Sequence, residues 1–335
     1  MSAIAVVGLE SAAVSEWILG LDLDARGPLR FTRAGNGKSN LTYLVTDAAG
    51  QRWILRRAPV GPRLASAHDV ARECRVLRAL ESTAVPAPAV LAFTNDAEVS
   101  EAPLLLLAFV DGQVPGEVGL DPAACSRLTE ALIASLARVH DVDLRATGLD
   151  DLAPHTPYAA RQLKRWRRQW EASRTRDLPA VERLADRLEA AVPEQRELAL
   201  VHGDYHLLNV IAAPGGETIR AIVDWELCTL GDPLADLGGL LAYWPQDADA
   251  RAWTVPIQRA AGFPPPAKVA ELYAAATGRD LDALGFWHAL GLWKVAIICE
   301  GVRRRALDDE RNAARTGIPP AHAVEDLIAR AEVLL

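Results

Sequence analysis

The chain has 335 residues, 50% hydrophobic and 24% charged, which suits a globular protein able to bury one or two sizeable cores. Its formal net charge of -8 lacks the basic footprint of a general nucleic-acid binder, and no apolar run reaches the roughly 20 residues needed to span a membrane. Cys74, Cys125, Cys228 and Cys299 lie far apart with no CxxC pair, and the N-terminus has no basic, signal-like region, so the expectation is reduced thiols in a cytoplasmic protein.

Taken in order, residues 11–19 suggest an opening helix, after which the character changes. Segments 29–34, 40–46 and 52–58 are short β-rich runs separated by turn signals and predict an antiparallel meander. The first of these turns is Gly35-Asn36-Gly37-Lys38-Ser39-Asn40. Its small residues let backbone N–H groups approach a phosphate closely, although Gly-Asn-Gly is also a common hairpin turn. A helix over 66–80 carries Glu73, and strands over 90–94 and 104–110 complete the sheet before Asp111-Gly112. From there the pattern is mostly helical, with Pro122 starting a helix that ends near His140, itself read as a capping or core residue. The helix over 158–173 has Leu163, Trp166 and Trp170 on one face and Arg161, Lys164, Arg165 and Arg168 on another. A further helix covers 180–190.

The chemistry concentrates in residues 200–226. Two apolar strands, 210–212 and 218–223, flank a Pro214-Gly215-Gly216-Glu217 turn and predict a hairpin. A turn centred on Gly215 and Gly216 sets Asn209 opposite Ile222, with Asp224 two residues further on the same face, so that both side-chain oxygens reach one ion. Asp204 and Asn209 stand five apart, as the base and the metal-binding Asn do in a kinase catalytic loop, and Asp224 matches the separate Asp that holds Mg²⁺ there. Singly, each has an ordinary reading as turn former, cap or backbone partner; their joint spacing favours the catalytic one. His202 and His206 are expected to brace the loop through hydrogen bonds, since the pattern around them is not the helical one a two-His metal site would use. Asp232-Pro233 marks a helix start with Asp232 as cap, and Asp236 either braces the loop or caps the first turn. Pro264-Pro265-Pro266 precedes helices over 268–277, 281–305 and 321–335.

His202-Gly203-Asp204, Asn209 after four residues, Val223-Asp224-Trp225 and the run Gly231-Asp232-Pro233-Leu234-Ala235-Asp236-Leu237 together resemble the aminoglycoside phosphotransferase-like small-molecule kinases, a family that includes choline and aminoglycoside kinases. Over nearly the whole chain the resemblance is nearest to the branch found as the kinase half of some acyl-CoA dehydrogenase fusion proteins. Leu208 departs from that branch, which often has Asp there.

The resemblance implies an α+β, two-lobed protein-kinase-like fold, with an antiparallel-sheet nucleotide-binding lobe over 1–110 and a mainly helical catalytic and substrate lobe over 111–335. It implies ATP and Mg²⁺ as cofactors and a small-molecule hydroxyl as acceptor, with no nucleic-acid or membrane partner. Gly35, Asn36, Gly37, Ser39 and Asn40 would cover the phosphates. Arg56, where the wider family has Lys, would hold them with Glu73 as its ion-pair partner, and the Ala108 carbonyl and Val110 N–H would pair with adenine. Asp204 would act on the acceptor hydroxyl, while Asn209 and Asp224 would hold the metal. The acceptor is expected to be a hydroxyacyl-CoA or hydroxy acid, with Arg161, Arg165, Arg168 and Glu226 as candidate substrate residues. That basic face is also readable as a solvated surface balanced by Glu171 and Asp177. An aminoglycoside-type antibiotic kinase and a nucleotide-binding pseudo-kinase without turnover remain open, whereas a protein kinase is disfavoured by the absence of an Ala-Pro-Glu feature after Asp224.

Overall fold

Burial along the strands of the first unit leaves one sheet face for each of two helices. The computed structural model describes residues 8–34, 40–58, 69–115, 120–245, 262–308 and 318–335. They divide into a unit drawn from 1–83 and 87–111 and a second drawn from 84–86 and 112–335. The predicted phosphate-covering residues Gly35, Asn36, Gly37 and Ser39 lie outside the described residues, whereas Asn40 lies within them.

In the first unit, α1 (Ser11–Leu19) precedes β1 (Arg30–Ala34), β2 (Leu41–Thr46), β3 (Arg52–Arg57), α2 (Val70–Leu80), β4 (Val90–Thr94) and β5 (Leu104–Ala108). The strands form one antiparallel sheet in the order β1-β2-β3-β5-β4. Side chains alternate across a strand, so Tyr43, Val45, Trp53, Leu55, Leu104 and Leu106 share one face, where Val14 and Ile18 of α1 cover them. Arg56 points to the opposite face, and α2 packs there against β4 and β5. Asp69 caps α2 by accepting the Arg72 N–H at 3.0 Å, and this turn starts the helix at a phase that carries Glu73 inward.

The second unit is helical with two short ribbons. Its helices are α3 (Pro122–His140), α4 (Tyr158–Ser173), α5 (Pro179–Ala190), α6 (Leu234–Ala242), α7 (Pro266–Thr277), α8 (Leu284–Asp308) and α9 (His322–Glu332). Strand β6 (Ala199–Val201) pairs with β9 (Thr229–Gly231), and β7 (Val210–Ala212) pairs with β8 (Ile219–Ile222). Asp121 caps α3 through the Ala124 N–H at 2.8 Å, and Asp232 accepts the Leu234 N–H at 2.9 Å where α6 begins. Residues 84–86 count with this unit because the Ile222 N–H donates to the Pro86 carbonyl at 2.7 Å.

α8 is the spine of the second unit, packing against α4, α5, α6 and α9. Its closest approach is to α6, where a Cβ on Gly238 would stand 2.4 Å from the Trp287 carbonyl and one on Gly291 would stand 2.7 Å from the Gly238 oxygen. Gly238→Ala is therefore expected to destabilise the fold by about 1–3 kcal/mol, because the helices must separate to admit a methyl group. Gly239→Ala, where nothing lies within 4 Å, should be neutral or slightly stabilising. Equal urea midpoints for the two variants would show that this contact is not tight.

Candidate active site

The loop between β6 and β7 is held from both sides by buried polar groups. Gly203 adopts φ +84°, and a Cβ there would meet the Leu227 oxygen at 2.7 Å, so glycine is required between His202 and Asp204. Asp236, on α6, accepts the His202 N–H at 2.6 Å and the Gly203 N–H at 2.8 Å, which decides between the two sequence readings in favour of bracing. Burial acts to raise its carboxyl, but the hydrogen-bonded His140 ring, and then His202 and the Gly203 N–H, outweigh that and hold it below the ordinary value. His140 itself is buried, with Nδ1 2.7 Å from the Tyr273 hydroxyl and Nε2 3.3 Å from Asp236, so it is a core residue of this network.

His202 joins the two halves of the ribbon. Its Nδ1 accepts the Asp204 N–H at 3.3 Å, which leaves Nε2 protonated to donate to the Val223 carbonyl at 3.0 Å. The ring is fully buried 4.8 Å from Trp225, and burial lowers its pKa, so it works as a neutral brace. His206 accepts the Leu208 N–H on Nδ1 at 3.2 Å, and its protonated Nε2 faces Asp204 Oδ2 at 3.5 Å. Both histidines are thus braces, as expected.

Asp204 Oδ2 also accepts from Asn209 Nδ2 at 3.1 Å, and the same amide nitrogen donates to the Asp204 carbonyl at 2.9 Å. The side-chain contacts from Asn209 and His206 fall on Oδ2 and leave Oδ1 outside them. Burial would raise the Asp204 carboxyl, yet His206, and then His202 and Lys294, more than offset it and hold the group well below the usual carboxylate range. The side chain is an anion poised to accept a hydrogen bond.

The ribbon departs from the expected register. Val210 pairs with Ile222 and Ile211 with Ala221, but Ala212 pairs with Ile219, so Arg220 is an extra residue that shifts the ladder by one. Asn209 therefore faces Val223, whose N–H donates to its carbonyl at 2.9 Å, and Asp224 is the very next residue. Asp224 turns into the left-handed region at φ 68°, a conformation that Asp tolerates better than most residues, and the Trp225 indole donates to Ile222 at 2.9 Å to hold the turn. The backbone turn, rather than strand alternation, aims the Asp224 side chain.

In the first unit, Arg56 Nε lies 3.0 Å from Glu73 Oε2 with side-chain exposures of 9% and 1%, which rules out two independent surface charges. Arg56→Ala removes one member of a buried ion pair, so the expected loss is about 3–5 kcal/mol in chemical denaturation. A loss below about 1 kcal/mol would show that the pair is solvated. Arg57, on the α1 side of the sheet, is also buried. Asn40 is 3% exposed, and among the described residues neither its amide nitrogen nor its oxygen has a hydrogen-bond partner. β5 ends at Ala108, whose N–H donates to Ala89 at 2.9 Å, so Val110 lies beyond the strand that the sequence extends to it. Arg52 stacks 4.0 Å over the intervening Phe109 ring and pairs with Asp111 at 2.6 Å.

The expected basic substrate residues lie outside the cavity that Asp204 lines. Arg161 donates to the carbonyls of Pro154 and Leu230, a structural use of its guanidinium. Arg165 and Arg168 are exposed, the first 6.0 Å over the Trp166 ring and the second donating to the Lys164 carbonyl at 3.3 Å. Glu226 is half-buried in the short turn Trp225–Leu227. None of these borders the cavity of about 180 Å³ that Asp204 lines; its wall includes Trp166, Leu227, Tyr243, Gly291 and Lys294. A larger groove of about 690 Å³ lies among α4, α5 and α8, but its Arg167 is already paired with Asp186 and Glu189 at 2.7 and 2.9 Å. Spacing places Trp166 on the apolar face of α4, but neither it nor Lys294 nor Tyr243 is a site residue by sequence alone. The available signal was a lone Lys within the apolar stretch 287–299.

A sequence profile of the phosphotransferase enzyme family matches residues 30–287. Mouse acyl-CoA dehydrogenase family member 10 is 33% identical over 316 residues, covering 90% of this chain and 29% of that protein. Human acyl-CoA dehydrogenase family member 11 is 29% identical over 310 residues, covering 88% and 39%. The chain thus spans well under half the length of these relatives. Among solved structures, a candidate aminoglycoside phosphotransferase from Ralstonia eutropha matches at a TM-score of 0.77 and 28% identity, covering 97% of both chains. Amicoumacin kinase hAmiN, solved with AMP-PNP, Ca²⁺ and Ami, matches in fold at a TM-score of 0.65 and 17% identity over 96% and 93%. The α+β architecture, an antiparallel-sheet unit and a helical unit, is the one these proteins share.

Proposed function

The chain belongs to the phosphotransferase enzyme family, and from that premise we propose that it is an ATP- and Mg²⁺-dependent kinase of a small-molecule hydroxyl. The observation that carries this reading is Asp204: an anion whose Oδ2 is fixed by Asn209 and His206 and which borders a cavity of about 180 Å³. In that position it orients the acceptor hydroxyl and takes its proton as the acceptor oxygen bonds to the γ-phosphorus and the bond from that phosphorus to the β,γ-bridging oxygen breaks.

The residues present fit the cofactors. Asn209 and Asp224 offer a carboxamide and a carboxylate, hard oxygen donors of the kind Mg²⁺ takes. Among the described residues no cluster of three or more His, Cys, Asp or Glu forms a cage, which suits an ion coordinated largely by phosphate and water. Bound Mg²⁺–ATP supplies the phosphoryl group and the charge neutralisation that its transfer needs. In the sheet unit, Arg56, held by Glu73, offers a fixed guanidinium to phosphate oxygens, and the buried Asn40 amide, which has no hydrogen-bond partner among the described residues, offers a further polar group.

For the acceptor, a hydroxy acid or hydroxyacyl-CoA is supported by the relatives, which are named as acyl-CoA dehydrogenase family members. An aminoglycoside acceptor finds less support, because the cavity is small and carries a lysine. The pseudo-kinase reading is opposed by Asp204, Asn209 and Asp224 all being present on one ordered ribbon. A cytoplasmic location is supported by four cysteines that are free and buried; among the described residues no helix is long and apolar enough to cross a membrane. A thermal-shift screen of hydroxylated metabolites with Mg²⁺ and a nonhydrolysable ATP analogue tests the proposal. Stabilisation by the nucleotide and a further rise with an alcohol would support it, and no response to the nucleotide would refute it.

A further inference from the structure

Lys294 is the anomaly of α8. This helix is buried along most of its length, and its half-buried lysine reaches the same cavity as Asp204. An ammonium in such surroundings is costly unless it is paired, and burial lowers its pKa against the opposing pull of Asp204 and Asp236. Among the described residues, however, Lys294 makes no ion pair: its neighbour is the Trp166 ring, whose centroid lies 5.5 Å from Nζ. Asp236 cannot serve as its partner, because both carboxylate oxygens are committed to His202, Gly203 and His140. Asp204 lines the same cavity, and among the described residues no ion pair joins it to Lys294.

We infer that Lys294 selects the acceptor by holding an acyl oxygen of the alcohol, a carboxylate or a thioester carbonyl, while Asp204 meets its hydroxyl. This deepens the phosphotransferase reading and rests on it. Three observations converge. An ammonium without an anionic partner favours an anionic or strongly accepting oxygen and repels the ammonium groups of an amino sugar. The cavity volume of about 180 Å³ is below the 300–1,000 Å³ typical of drug-sized ligands, so it suits a short acyl segment rather than a multi-ring antibiotic. The Trp166 face covers one side of the ammonium and restricts where its N–H groups can point. A lysine serving only as counter-charge to Asp204 would instead affect every acceptor alike.

The experiment uses the full chain with Mg²⁺ and a nonhydrolysable ATP analogue. Hydroxybutyrates with the hydroxyl on the second, third or fourth carbon, their pantetheine thioesters and the corresponding butanediols are compared by calorimetric titration. The wild type should bind at least one acid or thioester about tenfold or more tightly than its diol, a difference of about 1.4 kcal/mol. Lys294→Met should abolish that preference while keeping nucleotide binding, and Lys294→Arg should restore part of it. If the acids bind better than the diols, the thioesters then show which acyl oxygen is preferred. Diols binding as well as acids, no binding by any acid or thioester, or equal weakening of all ligands in Lys294→Met would overturn the assignment. Wild-type discrimination decides the matter even if the Met variant fails to fold. Failure of the wild type to bind the nucleotide would instead count against the kinase reading itself.

Discussion

Asp204→Asn is expected to reduce phosphoryl transfer by about 10²–10⁴-fold, the range that a positioned general base contributes, while binding of Mg²⁺ and nucleotide stays largely intact. The substitution preserves shape and still offers an oxygen to Asn209, which donates to Asp204 Oδ2 at 3.1 Å and to its carbonyl at 2.9 Å. What it removes is the negative charge beside the cavity, a charge that the neighbouring histidines and Lys294 preserve against burial. Asn209 and Asp224, the proposed metal donors, are untouched. Steady-state turnover alongside nucleotide titration separates the two effects. Near-wild-type turnover would sink the role assigned to Asp204, and parallel loss of nucleotide binding would move that role from acceptor to cofactor.

A large loss of stability should come from Asp236→Ala. The Asp236 carboxylate is buried at 3% residue exposure and accepts two backbone N–H groups, those of His202 and Gly203, as well as facing His140. Each buried donor left without a partner costs about 1–3 kcal/mol, so the two together imply roughly 2–6 kcal/mol. Because the folded carboxyl is held below its ordinary value, its stabilising contribution is complete above the unfolded carboxylate pKa of about 3.9 and is lost as pH falls through the lower folded value. Asp236→Ala should also loosen the loop that carries Asp204, so activity should fall even at temperatures where the variant remains folded. By contrast, Lys268→Ala breaks an exposed pair with Glu271 and should cost under about 1 kcal/mol. Matching urea midpoints for the Asp236 and Lys268 variants would show that Asp236 does not brace the loop.

Much of this architecture could be read before the structure. Helices α3 and α4 begin and end where Pro122, His140 and the amphipathic spacing of 158–173 indicate, because local capping and periodicity suffice to define such elements. The Arg56–Glu73 pair was legible only through resemblance; neither residue type nor spacing distinguishes a buried pair from two exposed charges. The ribbon was legible as a hairpin but not in register, since the extra residue Arg220 leaves the hydrophobic pattern of β8 intact. The basic face of α4 illustrates a different limit. Helical spacing shows that Arg161 shares a face with its neighbours, yet only tertiary structure shows its guanidinium satisfying the carbonyls of Pro154 and Leu230. Lys294 is the converse: a lone charge in the apolar stretch 287–299 gives no sign of a site, because the cavity it lines is built from α4, α6 and a loop distant in sequence.

The most direct test of the central claim follows the γ-phosphate itself. The protein is incubated with Mg²⁺, isotopically labelled ATP and a pooled set of small alcohols that includes hydroxy acids and their thioesters, and ³¹P NMR resolves the labelled products. The wild type should convert label into a new organic phosphomonoester, and Asp204→Asn, at matched nucleotide occupancy, should leave it on ATP. Nucleotide bound without transfer to any alcohol, or the same ester formed equally fast by Asp204→Asn, would contradict the account.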